Sequence, residues 1–131
     1  MKTLILTVGL PRCGKTTWAK EQNIPIVSRD AIRLSLHGKP YLQEAENMIT
    51  VIEDIMVKSL FLAGHDKVII DATHTTEKRR ERWKNNSWDI VLKTFSTSKN
   101  ICIQRAINTD RKELIPVIER MAKQIDININ Q

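Results

Sequence analysis

Residues able to do chemistry occur first in a short segment near the start of the chain. Gly9, Gly14, Lys15 and Thr16 have the spacing Gly-x4-Gly-Lys-[Ser/Thr], directly after the apolar run Leu4–Val8. The two glycines let the backbone turn tightly, so that successive N–H groups point into one concavity that can hold phosphate oxygens. In such a loop the lysine ammonium reaches the β- and γ-phosphates, and the threonine hydroxyl ligates Mg²⁺. The pattern therefore predicts a site for ATP, or another nucleoside triphosphate, together with Mg²⁺.

The other residues of this loop are expected to assist nucleotide binding. Pro11 restricts one backbone position, and Cys13 contributes its amide. Arg12 can touch a phosphate, although a solvated side chain explains it equally well. Thr17 lies in the first turn of the helix predicted to follow, whose positive dipole end attracts phosphate. We include all four among the expected nucleotide-binding residues.

A second reactive pair, Asp30 and Arg33, follows the second predicted strand in the segment Ser-Arg-Asp-Ala-Ile-Arg. An aspartate at the carboxyl end of a strand beside the phosphate loop can accept the proton of an attacking hydroxyl. Arg33 lies one helical turn further on, where it can hold an anionic group of the acceptor. The alternative is that Asp30 caps the helix, which is a common role for aspartate.

A third candidate, Asp71, ends the apolar run Lys67–Asp71. A carboxylate in this position can hold Mg²⁺ through water or orient a nearby arginine. The alternative is that it caps the loop that follows.

Alternating strands and helices must position these residues. Strands are predicted at Leu4–Val8, Pro25–Ser28, Lys67–Asp71 and Trp88–Phe95, the last of them near an edge because polar residues interrupt it. Helices are predicted at Lys15–Gln22, Arg29–Leu36, Tyr41–Ala63, Thr76–Trp83, Ser98–Ala106 and Leu114–Ile125. The longest helix is predicted from the helical spacing of seven apolar residues, namely Leu42, Ala45, Ile49, Ile52, Ile55, Met56 and Leu60.

This order of elements predicts parallel strand pairing, helices on both faces of the sheet and right-handed crossovers. The expected fold class is α/β, a P-loop NTPase-type three-layer sandwich with a parallel sheet of about four strands. A chain of 131 residues is expected to form a single domain, residues 1–131. Ligands of such folds bind at the carboxyl ends of the strands.

Composition leads to expectations about the partners of the protein, its compartment and its association with membranes. Lys and Arg number 21 against 15 Asp and Glu, a net charge of +6 that suits a polyanionic partner or a bound nucleotide. Cys13 and Cys102 have neither metal-ligand spacing nor a disulfide framework, which favours a reducing cytoplasm. No apolar stretch approaches the roughly 18 residues of a membrane span, so no membrane association is expected.

Taken together, these motifs resemble the 5′-hydroxyl polynucleotide kinase domain of the bacteriophage type, within the small P-loop kinase family. The resemblance covers residues 2–124, nearly the whole chain. Its most specific part is Arg-Asp-x-x-Arg after the second strand combined with Asp-x-Thr after the third. Further landmarks are the opening Leu4–Gly9, Thr17-Trp18-Ala19, Arg79-Arg80 and Pro116.

The resemblance implies a role for each matching residue. Asp30 corresponds to the general base acting on a ribose 5′-hydroxyl, and Arg33 to the residue that binds the acceptor's 3′-phosphate. Asp71 and Thr73 fall on the acceptor side, and Asp71 joins Thr16 as a metal-binding candidate. The resemblance also implies a small helical lid whose arginine contacts the donor phosphates. Arg105 and Arg111 are the candidates, and we prefer Arg111 as the catalytic one because it lies in the polar connector.

Several features depart from the family pattern. His74 stands where the family usually has Asn, and the spacing between Arg105 and Arg111 is longer than expected. A fused phosphatase domain is not found, so a separate phosphatase or ligase partner is expected.

These features favour transfer of the γ-phosphoryl group to the 5′-hydroxyl end of DNA or RNA as the function. A small-molecule, nucleoside or sugar-nucleotide kinase of the same fold is the alternative. A nucleotide-dependent switch is disfavoured because no Asn-Lys-x-Asp motif for reading guanine is present.

Overall fold

A computed structural model describes residues 1–128 of the chain. The strands are β1 (Thr3–Val8), β2 (Ile26–Ser28), β3 (Lys67–Asp71) and β4 (Asp89–Thr94). The α-helices are α1 (Lys15–Glu21), α2 (Arg29–His37), α3 (Glu46–Leu62), α4 (Glu77–Glu81), α5 (Lys99–Asn108) and α6 (Ile115–Asn128). Short 3₁₀ turns at Gln43–Ala45 and Lys112–Leu114 precede α3 and α6.

The four strands form one parallel sheet in the order β2-β3-β1-β4, so the predicted α/β three-layer architecture is confirmed. As predicted, β4 lies at an edge. Ser28 pairs with Asp71 in the register of β2 and β3, and β1 runs beside β3. This register brings three chain segments together at the carboxyl ends of the strands, namely the loop after β1, the start of α2 and the end of β3.

Two apolar clusters hold this arrangement. The larger one joins the sheet to α3 and includes fully buried Leu4, Leu6, Val27, Ile49, Val57, Val68 and Ile70. The smaller one joins the phosphate loop to α5 and α6 through Leu10, Cys13, Cys102, Ala106 and Ile118. The phosphate loop is therefore packed against α5, which includes Arg105, and α6, while Arg111 lies in the connector between these two helices.

The longest helix differs from its prediction in its start and in its buried face. The α-helix begins at Glu46, not Tyr41, because Pro40 and an extended Leu42 precede the short 3₁₀ turn. Its most buried residues are spaced four apart, namely Ile49, Glu53, Val57 and Phe61. Ile55, predicted to share the apolar face, is 57% exposed on the opposite side. The prediction failed there because it did not anticipate that a charged residue, Glu53, would be buried.

Other boundaries agree within one to three residues. Ser98 caps α5 and Thr76 caps α4 through their side chains. The helix α4 ends at Glu81, which leaves Trp83 in the core beyond it. Helix α6 continues past the predicted Ile125 to Asn128. Within residues 1–128, none of the helices combines the length and the apolar character needed to cross a bilayer.

Candidate active site

The loop between β1 and α1 has the shape that its sequence predicts. Gly14 has φ +101° and precedes the first turn of α1, a conformation that favours glycine. A Cβ on Gly9 would come within 2.6 Å of Cys13 Sγ and 3.0 Å of Phe95 Cβ, so a side chain there would displace the loop. Arg12 also has a positive φ, +68°, which curls the loop around its amides. These positive φ angles are those of a tightly turned loop, as a phosphate cradle requires.

Lys15 is buried within this loop. Its ammonium donates hydrogen bonds to the carbonyl oxygens of Gly9 (3.2 Å) and Leu10 (2.7 Å) and lies 3.6 Å from Cys13 Sγ. The side chain is 8% exposed, so the charge depends on these neutral acceptors for solvation. A phosphate brought into the loop would supply a stronger, anionic partner.

Thr16 and Asp71 come together although 55 residues separate them in sequence. The Thr16 hydroxyl donates a hydrogen bond to Asp71 Oδ2 at 2.7 Å. This bond ties the end of β3 to the first turn of α1. A hydroxyl and a carboxylate are the hard oxygen ligands that Mg²⁺ takes alongside substrate phosphates, so these residues fit the ion that the sequence predicts. Elsewhere in the described residues, no group of three His, Cys, Asp or Glu side chains could hold a metal.

The segment after Asp71 ties β3 to the phosphate loop. The Thr73 carbonyl accepts a hydrogen bond from the Gly9 amide at 3.1 Å. Next to it, His74 is 5% exposed, has φ +44° and places Nδ1 2.7 Å from the Thr7 carbonyl. The buried guanidinium of Arg80 donates to the His74 carbonyl at 2.7 Å. His74 is thus a buried structural residue of this segment.

Burial controls the charge of His74. Desolvation lowers the pKa of His74 from 6.5 to about 4, and the nearby charges of Arg82 and Arg80 add to the lowering. Hydrogen bonds with the Thr7 and Ala72 backbone act in the other direction and are too weak to compensate. The ring is therefore neutral at pH 7, with the hydrogen on Nδ1 donated to Thr7.

Asp30 lies in the first turn of α2 with its side chain 82% exposed. The cap of this helix is Ser28, whose hydroxyl accepts a hydrogen bond from the Ala31 amide at 3.2 Å. The alternative role of Asp30 as the cap is therefore excluded. Among residues 1–128, its carboxylate is bonded by Arg33 Nη1 alone, at 2.8 Å.

Arg33 is fixed by two carboxylates. Its Nε and Nη2 donate to Glu46 Oε2 and Oε1 at 3.0 and 2.6 Å, a bidentate pair, while Nη1 donates to Asp30. The hydrogen bonding of Arg33 to Glu46 raises the pKa of Arg33, and the same interaction lowers the pKa of Glu46 below its ordinary value. The three bonds use three of the five guanidinium N–H donors.

Behind this pair lies a partly buried ion network. Glu53 Oε1 accepts from Arg29 Nη1 at 2.8 Å and from Arg82 Nη1 at 3.0 Å, and Arg29 also reaches Glu46. Burial raises the pKa of Glu53, against the pull of the two arginines. The network anchors the first residue of α2 to α3 and so fixes where Asp30 and Arg33 stand.

The two candidate lid arginines have different surroundings. Arg105 on α5 donates to the Arg12 carbonyl of the phosphate loop at 3.0 Å. Arg111, in the connector before α6, pairs with Glu113, whose pKa this bond lowers. Arg12 Nε is buried with no hydrogen-bond acceptor among the described residues. The structure thus places Arg105 at the loop and Arg111 beside Glu113.

Two residues near Arg33 were not found from the sequence. Glu46 is 13 residues from Arg33 and belongs to no motif, so only the packing of α2 on α3 reveals it. Tyr41 places its ring centroid 5.9 Å from Arg33 Cζ. The three tryptophans have packing roles, since Trp83 and Trp88 are buried in the core and Trp18 is half-buried against Phe95.

Fold and site together define a kinase-type P-loop domain: a parallel sheet with a Gly-x4-Gly-Lys-Thr loop after its central strand β1. Residues 4–124 match the family described as an AAA domain, and the chain belongs to that family.

Solved structures show the same fold. A chain in the structure of the Pnkp1/Rnl/Hen1 RNA repair complex superposes with a TM-score of 0.83 at 24% identity, covering 98% of this chain and 45% of that one. A second structure of the Pnkp1/Rnl/Hen1 complex gives 0.71 at 28% identity, with coverage of 79% and 38%. A gluconokinase from Sinorhizobium meliloti 1021 gives 0.59 at 14% identity, with coverage of 94% and 74%. The chain spans less than half the length of the two repair-complex chains.

Proposed function

We propose that this protein transfers the γ-phosphoryl group of ATP, or another nucleoside triphosphate, to the 5′-hydroxyl end of a polynucleotide. The observation that carries the proposal is the Asp30–Arg33 pair, which is fixed at the same sheet edge as the Thr16–Asp71 pair. One pair combines an exposed carboxylate with a guanidinium, and the other combines oxygen ligands suited to Mg²⁺. The first pair suits a phosphoryl acceptor, and the second suits a phosphoryl donor bound with its metal ion.

The donor side uses the loop and the residues around it. The amides from Gly9 to Thr17 receive the phosphates, with Pro11, Arg12 and Cys13 shaping the loop and Gly14 opening the helix. Lys15 leaves its carbonyl partners for the β- and γ-phosphates and neutralises charge in the transition state. Thr16 and Asp71 would hold Mg²⁺, which supplies charge neutralisation at the phosphates. Arg105 and Arg111 approach from the lid, Arg105 through its contact with the loop.

The acceptor side uses Asp30 as general base. Its carboxylate accepts the proton of the 5′-hydroxyl while the hydroxyl oxygen forms a bond to the γ-phosphorus. The bond between that phosphorus and the β–γ bridging oxygen breaks, and the nucleoside diphosphate leaves with the bond's electrons. The high exposure of Asp30 makes the carboxylate accessible to such a hydroxyl.

Arg33 is proposed to bind the phosphate on the 3′ side of the accepting ribose. Glu46 holds Nε and Nη2, so the guanidinium keeps its orientation when Nη1 exchanges Asp30 for a phosphate oxygen. The same exchange releases Asp30 to face the hydroxyl. Acceptor binding and activation of the base are thereby linked in one step. Thr73 follows Asp71 at the same sheet edge and completes the acceptor side.

The resemblance of the fold to a chain from an RNA repair complex supports a nucleic acid acceptor, as does the net charge of +6. We further propose that a separate phosphatase or ligase acts with the protein, in a reducing, cytoplasmic setting. The alternative acceptor is a small molecule, since an Asp–Arg pair also suits a sugar phosphate.

A panel of acceptors tests the proposal. The protein is incubated with γ-labelled ATP, Mg²⁺ and 5′-hydroxyl oligonucleotides, nucleoside 3′-monophosphates, nucleosides or sugars. Acceptors with a 3′-phosphate should exceed bare nucleosides by roughly 10- to 150-fold in kcat/KM. Arg33→Ala should remove this preference, and Arg33→Lys should restore it in part because it lacks the planar fork. Equal use of a nucleoside and its 3′-monophosphate would favour the small-molecule kinase instead.

A further inference from the structure

We propose that Tyr41 is a stacking platform for a nucleobase of the acceptor strand, namely the base on the 3′ side of the phosphate that Arg33 holds. This inference rests on the proposed function and names a further binding residue for it. It predicts that the protein distinguishes a nucleic acid end from an isolated nucleotide by the base of the second residue.

A helix cap and a turn bring Tyr41 back to Arg33. Gly38, at φ +74°, ends α2 and donates its N–H to the carbonyls of Arg33 and Leu34. The chain therefore reverses within the last turn of α2, as a left-handed glycine cap allows. Pro40 then restricts the backbone before Tyr41. The ring centroid then lies 5.9 Å from Arg33 Cζ. Arg33 itself is one helical turn from Asp30 and bonds to it.

Among the aromatic side chains, Tyr41 alone is exposed, at 56%. The sequence contains six aromatic residues, all within the described part of the chain. The other five are buried or half-buried, namely Trp18, Phe61, Trp83, Trp88 and Phe95. An exposed aromatic ring by itself has no special meaning, but this one lies beside the guanidinium proposed to hold the acceptor's phosphate.

The ring of Tyr41 is also held in place. Its hydroxyl hydrogen-bonds Gln43 Oε1, two residues along the chain. An aromatic ring that is fixed before binding loses little conformational entropy when a base stacks on it. Stacking is tolerant of sequence, because every base has a π-face. A single ring beside a phosphate-binding arginine therefore suits recognition of any strand end.

The order of the contacts identifies which base stacks. Asp30 faces the accepting hydroxyl and Arg33 lies next to it, where the phosphate 3′ of that ribose belongs. Arg33 in turn contacts Tyr41, whose ring centroid lies 5.9 Å from Cζ. Following the strand in this direction, the next group after the phosphate is the second nucleotide. Tyr41 should therefore stack on the second base and make no contact with the first base.

Three matched acceptors test this: a 5′-hydroxyl dinucleotide, the same molecule with an abasic second residue, and the nucleoside 3′-monophosphate. Base stacking on an aromatic ring typically changes affinity by roughly 5- to 150-fold. Since Tyr41 offers an exposed ring, we expect the dinucleotide to exceed the abasic acceptor by about 5- to 20-fold in kcat/KM, mainly through KM.

Variants separate stacking from a structural role. Tyr41→Ala should reduce use of the dinucleotide to that of the abasic acceptor, which itself should change little. Tyr41→Phe keeps the ring and should keep most of the preference. Leu34→Ala, a comparably exposed apolar residue on α2 (59%), is the matched control and should leave the preference intact.

Each outcome decides between the proposals. Equal use of the dinucleotide and the abasic acceptor by the wild-type protein would overturn the platform while leaving the proposed function standing. An equal loss on all three acceptors in Tyr41→Ala would also overturn it, in favour of a structural role. Transfer to sugars or nucleosides, with none to any 3′-phosphorylated acceptor, would overturn the proposed function and the platform with it.

Discussion

The buried histidine of the site makes the stability of this protein depend on pH, and His74→Asn should remove that dependence. His74 lies neutral in the segment that ties β3 to the phosphate loop, with its pKa lowered to about 4 by burial. In the unfolded chain the ring takes up a proton near pH 6.5, as an ordinary histidine does. Between these values the unfolded chain binds more protons than the folded protein, so acid favours unfolding. The stability contributed by the neutral ring is complete above pH 6.5 and is lost as the pH falls towards 4.

The size of the effect follows from the gap between the two pKa values. At about 1.4 kcal/mol for each pH unit, the gap limits the loss to about 3 kcal/mol. At pH 5 the expected loss relative to pH 7.5 is about 2 kcal/mol. Asparagine suits the replacement, because it tolerates the positive φ of +44° at this position and does not titrate.

Urea unfolding at pH 7.5, 6.5 and 5.0 measures this loss in both proteins. Other groups also titrate, since burial raises the pKa of Glu53 and Arg33 lowers that of Glu46, but their effects cancel in the difference between the two proteins. The wild-type protein should lose about 2 kcal/mol more than His74→Asn between pH 7.5 and 5. An NMR titration of the ring should give a midpoint near 4. Parallel losses in the two proteins, or a midpoint near 6.5, would refute the reasoning.

Three further predictions concern the residues proposed to bind or react. Lys15→Ala should abolish transfer with an unchanged circular dichroism spectrum; near-normal turnover would reject its role at the phosphates. Asp30→Asn should lower kcat by about 10²- to 10⁴-fold with little change in Tm, because Ser28 is the helix cap. Ser28→Ala should show the reverse pattern, with a stability cost of about 1 kcal/mol, and a matching fall in Tm for Asp30→Asn would argue for a structural role. Glu46→Gln should lower Tm at pH 7 and should lower it less in acid, since the lowered pKa of Glu46 gives stability that is progressively lost as the pH falls below about 4.5.

Much of this architecture could be predicted because it depends on local patterns. Apolar runs identified all four strands, and the glycine pattern located the phosphate loop between β1 and α1. The meeting of Thr16 with Asp71 follows from topology, since parallel strands bring their carboxyl ends to one edge. The assignment of Asp30 to the acceptor side depended on its place after β2. In the structure Ser28, and not Asp30, caps the helix.

The features of the site that could not be predicted from the sequence depend on contacts between segments that are distant in the chain. Nothing in the sequence near Glu46 indicates that it would hold Arg33, because the pairing requires α3 to pack against α2 at one particular rotation. The same rotation buries Glu53 and exposes Ile55, contrary to the apolar pattern of the helix. Burial of a carboxylate is tolerable there because Arg29 and Arg82 both bond to it. The spacing of apolar residues does not predict such an ion network.

Lys15 and Arg33 are both held by partners from the protein, and these partners would affect how the proposed ligands bind. Lys15 is solvated by two loop carbonyls, and Arg33 by two carboxylates. A phosphate therefore gains only the difference between its own bonds and those it replaces. At Lys15 the replaced partners are neutral, so exchange for an anion is strongly favourable. At Arg33 the replaced partner is the Asp30 carboxylate, so a phosphate would gain less there than at Lys15, and the exchange would also release the proposed base. The acceptor's phosphate should consequently act on kcat as well as on KM.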